Sequence, residues 1–214
     1  MRFFVVRHGE TNWNVEGRFQ GQKDIELNQK GIMQAELLAK RFVGHRFEAI
    51  ISSPLSRALV TAQKTKDVSI CGQLLIDPLL SEINHGDWEG LLADDIKSMW
   101  PSDMERWHLA PETVKMPGDG GESLQDVWYR AYRFAEYASL KYKGDVLVAS
   151  HDAVIKVLLC HWLNTPLSSF WCFQIPNCSI TVVEVSAAKK PRLTLLGDAT
   201  HIYNSFERPE QKGL

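Results

Sequence analysis

Four short apolar runs along the chain stop abruptly in polar residues. The first is Phe3-Phe4-Val5-Val6, led by Arg2 and cut off at Arg7-His8, and the second is Ala49-Ile50-Ile51, ending at Ser52-Ser53-Pro54. Leu74-Leu75-Ile76 stops at Asp77-Pro78, and Val146-Leu147-Val148-Ala149 stops at Ser150-His151. Runs this short, bounded by turn formers, predict buried strands rather than helices. Residues 180–185 and 193–196, separated by Lys189-Lys190-Pro191, predict a closing β-hairpin whose turn is that basic tripeptide, at one edge of the sheet.

Between these runs the apolar spacing changes to three and four. Over residues 30–43, Ile32, Ala35, Leu38, Ala39 and Phe42 share one face, and over residues 122–142 so do Leu124, Val127, Trp128, Ala131, Phe134 and Ala138. A third helix is expected over residues 55–66, with Pro54 at its first position. Strands alternating with helices predict an α/β fold built on a layered sheet, whose strand order the pattern does not supply.

Residues 88–120 break the alternation. They are rich in Trp, Met, Asp and Pro and are punctuated by Pro101, Pro111, Pro117 and Gly118. They are expected to form a helical cap over one end of the sheet, inserted in a single domain spanning residues 1–214. Trp88, Trp100, Trp107 and Trp128 are expected to pack that cap down, Trp162 and Trp171 to lie in the core or at an interface, and residues 207–214 to fray.

Composition narrows the class. With 214 residues, 44% hydrophobic and 23% charged, the chain is neither low-complexity nor disordered and can bury a sizeable core. Its net charge of −2 provides no global positive field for nucleic acid or anionic lipid, so any anion site must be local. The N-terminal apolar run is too short for a signal sequence, and no run reaches the ~18 residues of a membrane span, so a cytoplasmic protein is expected. Four cysteines without Cys-x-x-Cys spacing are expected to be reduced, mostly buried thiols.

A polar group follows each of the four runs: Arg7-His8-Gly9-Glu10, Ser56-Arg57, Glu82 and Ser150-His151. In an open α/β sheet ligands bind beyond the carboxyl ends of parallel strands, where two arginines, two histidines and a glutamate can converge. Such a set suits phosphoryl transfer without a metal. Arg7 and Arg57 can each present a planar fork to phosphate oxygens. His8 is a plausible nucleophile, because a neutral imidazole attacks phosphorus through one nitrogen while the other donates to a fixed acceptor. Glu82 is placed to protonate a departing alkoxide and then to take a proton from water. His8, His85, His151 and His201 lack metal-site spacing, and Gly9, Gly17 and Gly21 match neither a dinucleotide fingerprint nor a P-loop.

At these residues the chain resembles the histidine phosphatase superfamily, in its phosphoglycerate mutase-like branch. The resemblance is carried by Val6-Arg7-His8-Gly9-Glu10-Thr11 with Asn14, then Gly17-Arg18-Phe19-Gln20-Gly21 and Ser52-Ser53-Pro54-Leu55-Ser56-Arg57-Ala58. Glu82-Ile83-Asn84-His85-Gly86-Asp87-Trp88-Glu89-Gly90, Gly120-Gly121-Glu122-Ser123 and Ser150-His151 follow in the family's order, so the match covers about residues 2–205. It implies a three-layer α/β/α sandwich with a mostly parallel sheet and a helical cap insertion. It also implies that His8 is transiently phosphorylated, that Arg7, Arg57 and His151 bind the phosphoryl group with Asn14 beside it, and that Glu82 is the proton donor.

The expected activity is metal-independent hydrolysis of a phosphomonoester through a phosphohistidine, without a cofactor. Asn14, Gly21, His85 and His201 are the candidate substrate contacts. Phosphoserine is favoured, because His85 and His201 can bind its carboxylate if both reach the pocket; sugar phosphates and ribazole phosphate compete. A cofactor-dependent phosphoglycerate mutase is the alternative, and a non-catalytic phosphoester-binding protein a third. The short stretch of residues 85–90 looks like the phosphatase members. Asp152-Ala153 and Lys156 depart from the family, where many relatives carry a glycine and an arginine. The expected partner is a small phosphorylated metabolite, with neither nucleic acid nor membrane, and a homodimer is open.

Overall fold

The computed structural model describes residues 1–186 and 189–203. In chain order its elements are β1 (Arg2–Arg7), α1 (Asn12–Glu16), α2 (Gln29–Lys40), β2 (Ala49–Ser52), α3 (Ser56–Val68) and β3 (Leu74–Ile76). Then come α4 (Ala93–Met99), α5 (Pro101–Leu109), α6 (Leu124–Lys141), β4 (Asp145–Ser150), α7 (Asp152–Leu163), β5 (Ile180–Ser186) and β6 (Lys189–Asp198). The strands form one sheet in the order β3-β2-β4-β1-β5-β6. The first four run parallel, while β5 at one side pairs antiparallel with both β1 and the edge strand β6.

The sheet is covered on both faces, and the alternation of side chains along its strands sorts them into two cores. Val6, Ile50, Leu147 and Ala149 pack with Ala35 and Leu38 of α2 and Ala62 of α3. Phe3, Val5, Ile51, Val146 and Val148 pack on the other face with α6 and α7. Each Val, Leu, Ile or Phe side chain taken from water contributes about 1.5–3 kcal/mol, and two continuous cores explain why the strands read as unbroken apolar runs. The result is the three-layer α/β/α sandwich with a mostly parallel sheet.

The α6 helix starts where its sequence says it should. The Ser123 side chain accepts from the Asp126 backbone N–H while the Asp126 carboxylate accepts from the Ser123 N–H, a reciprocal cap. The start of α3 departs from expectation. Pro54 precedes the N-cap, Leu55, instead of opening the helix, because the first turn is held by a tertiary partner: the Asp24 carboxylate accepts from both the N–H and the hydroxyl of Ser56. The hairpin also differs, since Lys189, Lys190 and Pro191 lie within β6. As an edge strand, β6 accepts a proline and two lysines, which discourage further pairing. The expected frayed tail, residues 207–214, lies outside the described residues.

Within residues 88–120, α4, α5 and a 3-10 turn at Pro111–Thr113 bury Ile96, Met104, Trp107 and Val114 in the core that also holds α6 and α7. Trp88 and Trp107 are fully buried there. Trp171 clamps this segment by edge contact with the Trp107 ring and by an Nε1–H donated to the Trp107 carbonyl at 2.6 Å. Trp162 is a core residue stacked on Phe3. Trp128, half-buried, packs against that same core and stacks on Tyr132, one turn along α6. Of the thiols, Cys160 and Cys178 are buried, Cys71 is half-buried and Cys172 is exposed, so burial is less general than expected.

Candidate active site

Adjacent parallel strands end at one edge of the sheet, and the register brings their following residues together. Arg7 pairs with Ser150 across β1 and β4, and the His8 N–H donates to the Ser150 carbonyl at 3.1 Å. His8 and His151, one residue past each strand, therefore stand with ring centroids 5.2 Å apart. On the far side of β4, Ser52 pairs with Ala149, and the chain passes through Ser53 into α3, placing Arg57 in the first turn of that helix. After β3, the Asp77 side chain caps a 3-10 turn at Pro78–Leu80 that leads to Glu82. Helix N-termini at α3 and α7 face the same edge, which favours an anion.

His8 is 3% exposed. Its Nδ1 lies 2.7 Å from the Gly9 carbonyl, an acceptor that fixes the ring proton on Nδ1 and leaves the lone pair on Nε2. Burial first, then the charges of Arg57 and Arg7, hold its pKa well below the ordinary histidine value, so the ring is held neutral. The backbone at Gly9 has room for no other residue: a Cβ there would sit 2.4 Å from the Gly31 carbonyl oxygen. His151 is likewise held neutral by burial and by Arg57, and its Nε2 meets the Ser53 hydroxyl at 2.7 Å.

The two arginines are buried and braced by backbone. Arg7 donates to the Ile175 carbonyl at 2.7 Å, and Arg57 donates to the carbonyls of Lys23 and Gly21, each at 2.8 Å. Burial pulls Arg57 down to about 10, which leaves it cationic at neutral pH. Among the described residues, Arg7 Nε, Arg57 Nε and His151 Nδ1 are buried without a hydrogen-bond partner. Buried polar nitrogens without partners are costly, and a multi-oxygen anion supplies what they lack.

Glu82 is 5% exposed, and burial raises its pKa; the Ile83 N–H, donating to its Oε1 at 2.9 Å, and the two arginines oppose that shift, while the Asp152 charge adds to it. The direction favours the protonated acid, as a donor to a leaving group requires. The departure at Asp152 and Lys156 forms a buried chain of charges: Asp152 lies 3.5 Å from Arg7 and 2.6 Å from Lys156, whose ammonium rests against the rings of Phe170 and Trp171.

The remaining candidates are placed unequally. Asn14 uses its Oδ1 to cap α1, accepting from the Thr11 N–H, so its Nδ2 is what it can offer a ligand; Asn177 ties it to the His8 carbonyl. Gly21 has φ +54°, and a Cβ there would lie 2.0 Å from Glu89 Oε1. His85 is 3% exposed, against Phe19 and Trp107, and burial pushes it down to about 3. His201 has partners of its own. Its Nε2 meets the Cys178 carbonyl at 3.0 Å and its Nδ1 faces Arg41, in a segment whose Ile202 packs on the opposite core.

Residues 3–199 match the family model of the histidine phosphatase superfamily (branch 1). The chain belongs to that superfamily. Phosphoserine phosphatase 1 of Hydrogenobacter thermophilus is 33% identical over 196 residues, covering 91% of this chain and 92% of the relative. Phosphoglycerate mutase-like protein 4 of Arabidopsis thaliana is also 33% identical, over 202 residues, with 92% and 85% covered. Among solved structures, a phosphoserine phosphatase mutant from Entamoeba histolytica in complex with phosphoserine superposes with a TM-score of 0.81 at 29% identity, covering 94% of this chain and 99% of that one.

In this superfamily member several contributors to the site carry no strong sequence signal. Ser53 is one loop serine among several until the strand register sets it against His151, and Asn177 is an isolated polar residue until the approach to β5 brings it to the His8 carbonyl. Arg130 has Asp126 one turn before it on its own helix, yet it bonds Glu122 instead and grips the loop that carries Glu82. Among the described residues, no group of three or more His, Cys, Asp or Glu side chains is arranged to hold a metal ion, and no helix is long and apolar enough to cross a membrane.

Proposed function

We propose that this chain hydrolyses the phosphomonoester of a small carboxylated metabolite, phosphoserine foremost, through a phosphohistidine on His8. The observation that carries the reading is the opposite tuning of two buried groups: His8 held neutral with Nδ1 on the Gly9 carbonyl, and Glu82 held toward its acid form. In the first step the Nε2 lone pair of His8 forms a bond to phosphorus, the ester P–O bond breaks, and the Glu82 proton passes to the departing oxygen. Arg7 and Arg57 balance the charge on the phosphoryl oxygens as it redistributes. In the second step a water oxygen forms the new P–O bond, its proton returns to the Glu82 carboxylate, and the P–N bond breaks to leave neutral His8 and inorganic phosphate.

Phosphoserine is supported by the substrate named for the Hydrogenobacter thermophilus relative and bound in the Entamoeba histolytica structure. Within this chain, His85 is the group we assign to its carboxylate, as a neutral imidazole donor walled by Phe19 and Trp107. The test is phosphate release from phosphoserine, 3-phosphoglycerate and a set of sugar and nucleoside phosphates, repeated with His85→Ala and His201→Ala. Phosphoserine among the best substrates, selectively weakened by His85→Ala, is expected. Efficient interconversion of 3- and 2-phosphoglycerate would replace this reading with that of a mutase.

A further inference from the structure

Glu82 cannot aim itself. Its Oε1 accepts from the N–H of the next residue, Ile83, so the direction of its carboxyl follows the backbone of its own loop. That loop has little regular structure, since β3 is three residues long and only one 3-10 turn, at Pro78–Leu80, separates it from Glu82. Something outside the loop must hold it.

Gln22 donates from Nε2 to the Glu82 carbonyl at 3.0 Å and the Ser150 hydroxyl to the Leu80 carbonyl at 2.8 Å, but the side chain with the most bonds to the loop is a guanidinium on α6. Arg130 donates from Nη1 to the carbonyls of Leu79, at 2.9 Å, and Ser81, and from Nη2 to the carbonyl of Glu82 itself at 3.1 Å. Its Nε and Nη2 also meet Glu122 Oε1 and Oε2, at 2.9 and 3.0 Å, as a two-pronged pair. A guanidinium has five N–H donors, and these five bonds account for all of them. None is left for a substrate, and Glu122 neutralises the charge. Glu122 grips the loop as well: its Oε2 accepts from the Asn84 N–H, and its own N–H donates to the Asn84 carbonyl, both at 2.9 Å. The Ser123–Asp126 cap fixes where α6 begins, so Glu122 and Arg130 are presented at a set spacing.

We infer that Arg130, locked by Glu122, is a positioning residue for proton transfer, holding residues 79–84 so that the Glu82 carboxyl meets the leaving-group oxygen. The inference rests on the reading of Glu82 as proton donor. A guanidinium is required because three carbonyls and a carboxylate lie around one plane, which a lysine with a single ammonium nitrogen cannot span.

The experiment compares Arg130→Gln, Arg130→Lys and Glu82→Gln on 4-nitrophenyl phosphate, whose leaving group needs no proton, and on the best alkyl phosphate of the substrate panel. For both Arg130 variants the rate of phosphoenzyme formation in single turnovers of the alkyl ester is expected to fall about 10- to 100-fold, at most the low end of the ~10²–10⁴-fold a general acid supplies, with KM nearly unchanged and the same step on the aryl ester little affected. Combining Arg130→Gln with Glu82→Gln is expected to cost little beyond Glu82→Gln alone, because both act on one proton transfer. Equal losses on both esters, a loss confined to KM, full activity, or additivity of the two substitutions would overturn the inference. Should Arg130→Gln fail to fold, Arg130→Lys, which keeps a cation beside Glu122, decides the matter on the same two esters. If Glu82→Gln itself harms both esters equally, it is the donor reading that fails, and the role of Arg130 falls with it.

Discussion

His8 and His151 stand side by side at 5.2 Å between ring centroids, on neighbouring parallel strands whose register pairs Arg7 with Ser150. The two imidazoles are nonetheless unequal. His8 Nδ1 meets a backbone carbonyl, whereas it is Nε2 of His151 that meets the Ser53 hydroxyl, so the two rings offer opposite nitrogens to the space between them.

That inequality makes His8 the expected site of phosphorylation. His8→Ala should abolish turnover and remove the acid-quenched phosphoenzyme, with the thermal unfolding midpoint little changed, because the lost hydrogen bond is local to residues 8 and 9. His151→Ala should leave a trappable phosphoenzyme that forms slowly. Mass spectrometry that finds the phosphoryl group on His151 would reverse the assignment.

Vanadate should inhibit competitively, since two buried arginines and two neutral imidazoles can surround a trigonal-bipyramidal oxyanion. Arg57→Lys loses the fork that now bonds the Lys23 and Gly21 carbonyls, and should weaken vanadate by at least the tenfold of about 1.4 kcal/mol. Chelator treatment should leave activity intact. Activity lost to a chelator and restored by a divalent cation would point to a different chemistry.

Glu82→Gln keeps the volume of the donor and removes its proton. Phosphoenzyme formation from alkyl esters should slow about 10²–10⁴-fold while that from aryl esters slows far less. The pH profile carries a second sign. The raised pKa of Glu82 means that the acid form is lost as pH climbs, so rate on alkyl esters falls on the alkaline side; the lowered pKa of His8 keeps the nucleophile neutral well into the acid side. Glu82→Gln should erase the alkaline fall, and a profile that keeps it would assign that limb to another group.

Stability should fall in acid through the buried histidines. His85 is pushed from 6.5 to about 3, so between these values the unfolded chain binds a proton that the folded chain refuses, and folding stability declines as pH drops through that window. His8 and His151 act in the same direction. Urea midpoints measured from pH 7 to pH 4 should therefore slope downward, with a shallower slope in His85→Gln. Equal slopes in the two proteins would show that His85 does not titrate as its burial dictates.

The strands that build the sheet are legible in the sequence because they are covered on both faces and read as unbroken apolar runs, and α2, α3 and α6 are legible because each keeps a polar side. The α7 helix is not. From Ala153 to Cys160 every residue is buried, Lys156 included, so no polar stripe marks a helical period. Lys189-Lys190-Pro191 reads as a turn yet lies in a strand, because exposed edge strands tolerate the residues that usually mark turns.

At the site, the residue types alone determine the chemistry on offer: forked cations for an oxyanion, an imidazole nucleophile and a carboxyl donor, each just beyond an apolar run. Tertiary structure decides what each does. Protonation depends on burial and on neighbours brought from distant strands, as Arg57 lowers His8 and Asp152 raises Glu82. Hydrogen-bond partners such as Ser53 for His151, or Leu79, Ser81 and Glu82 for Arg130, lie far away along the chain. The partners of His201, the Cys178 carbonyl and Arg41, are equally a matter of where its segment packs, and spacing along a sequence does not encode that.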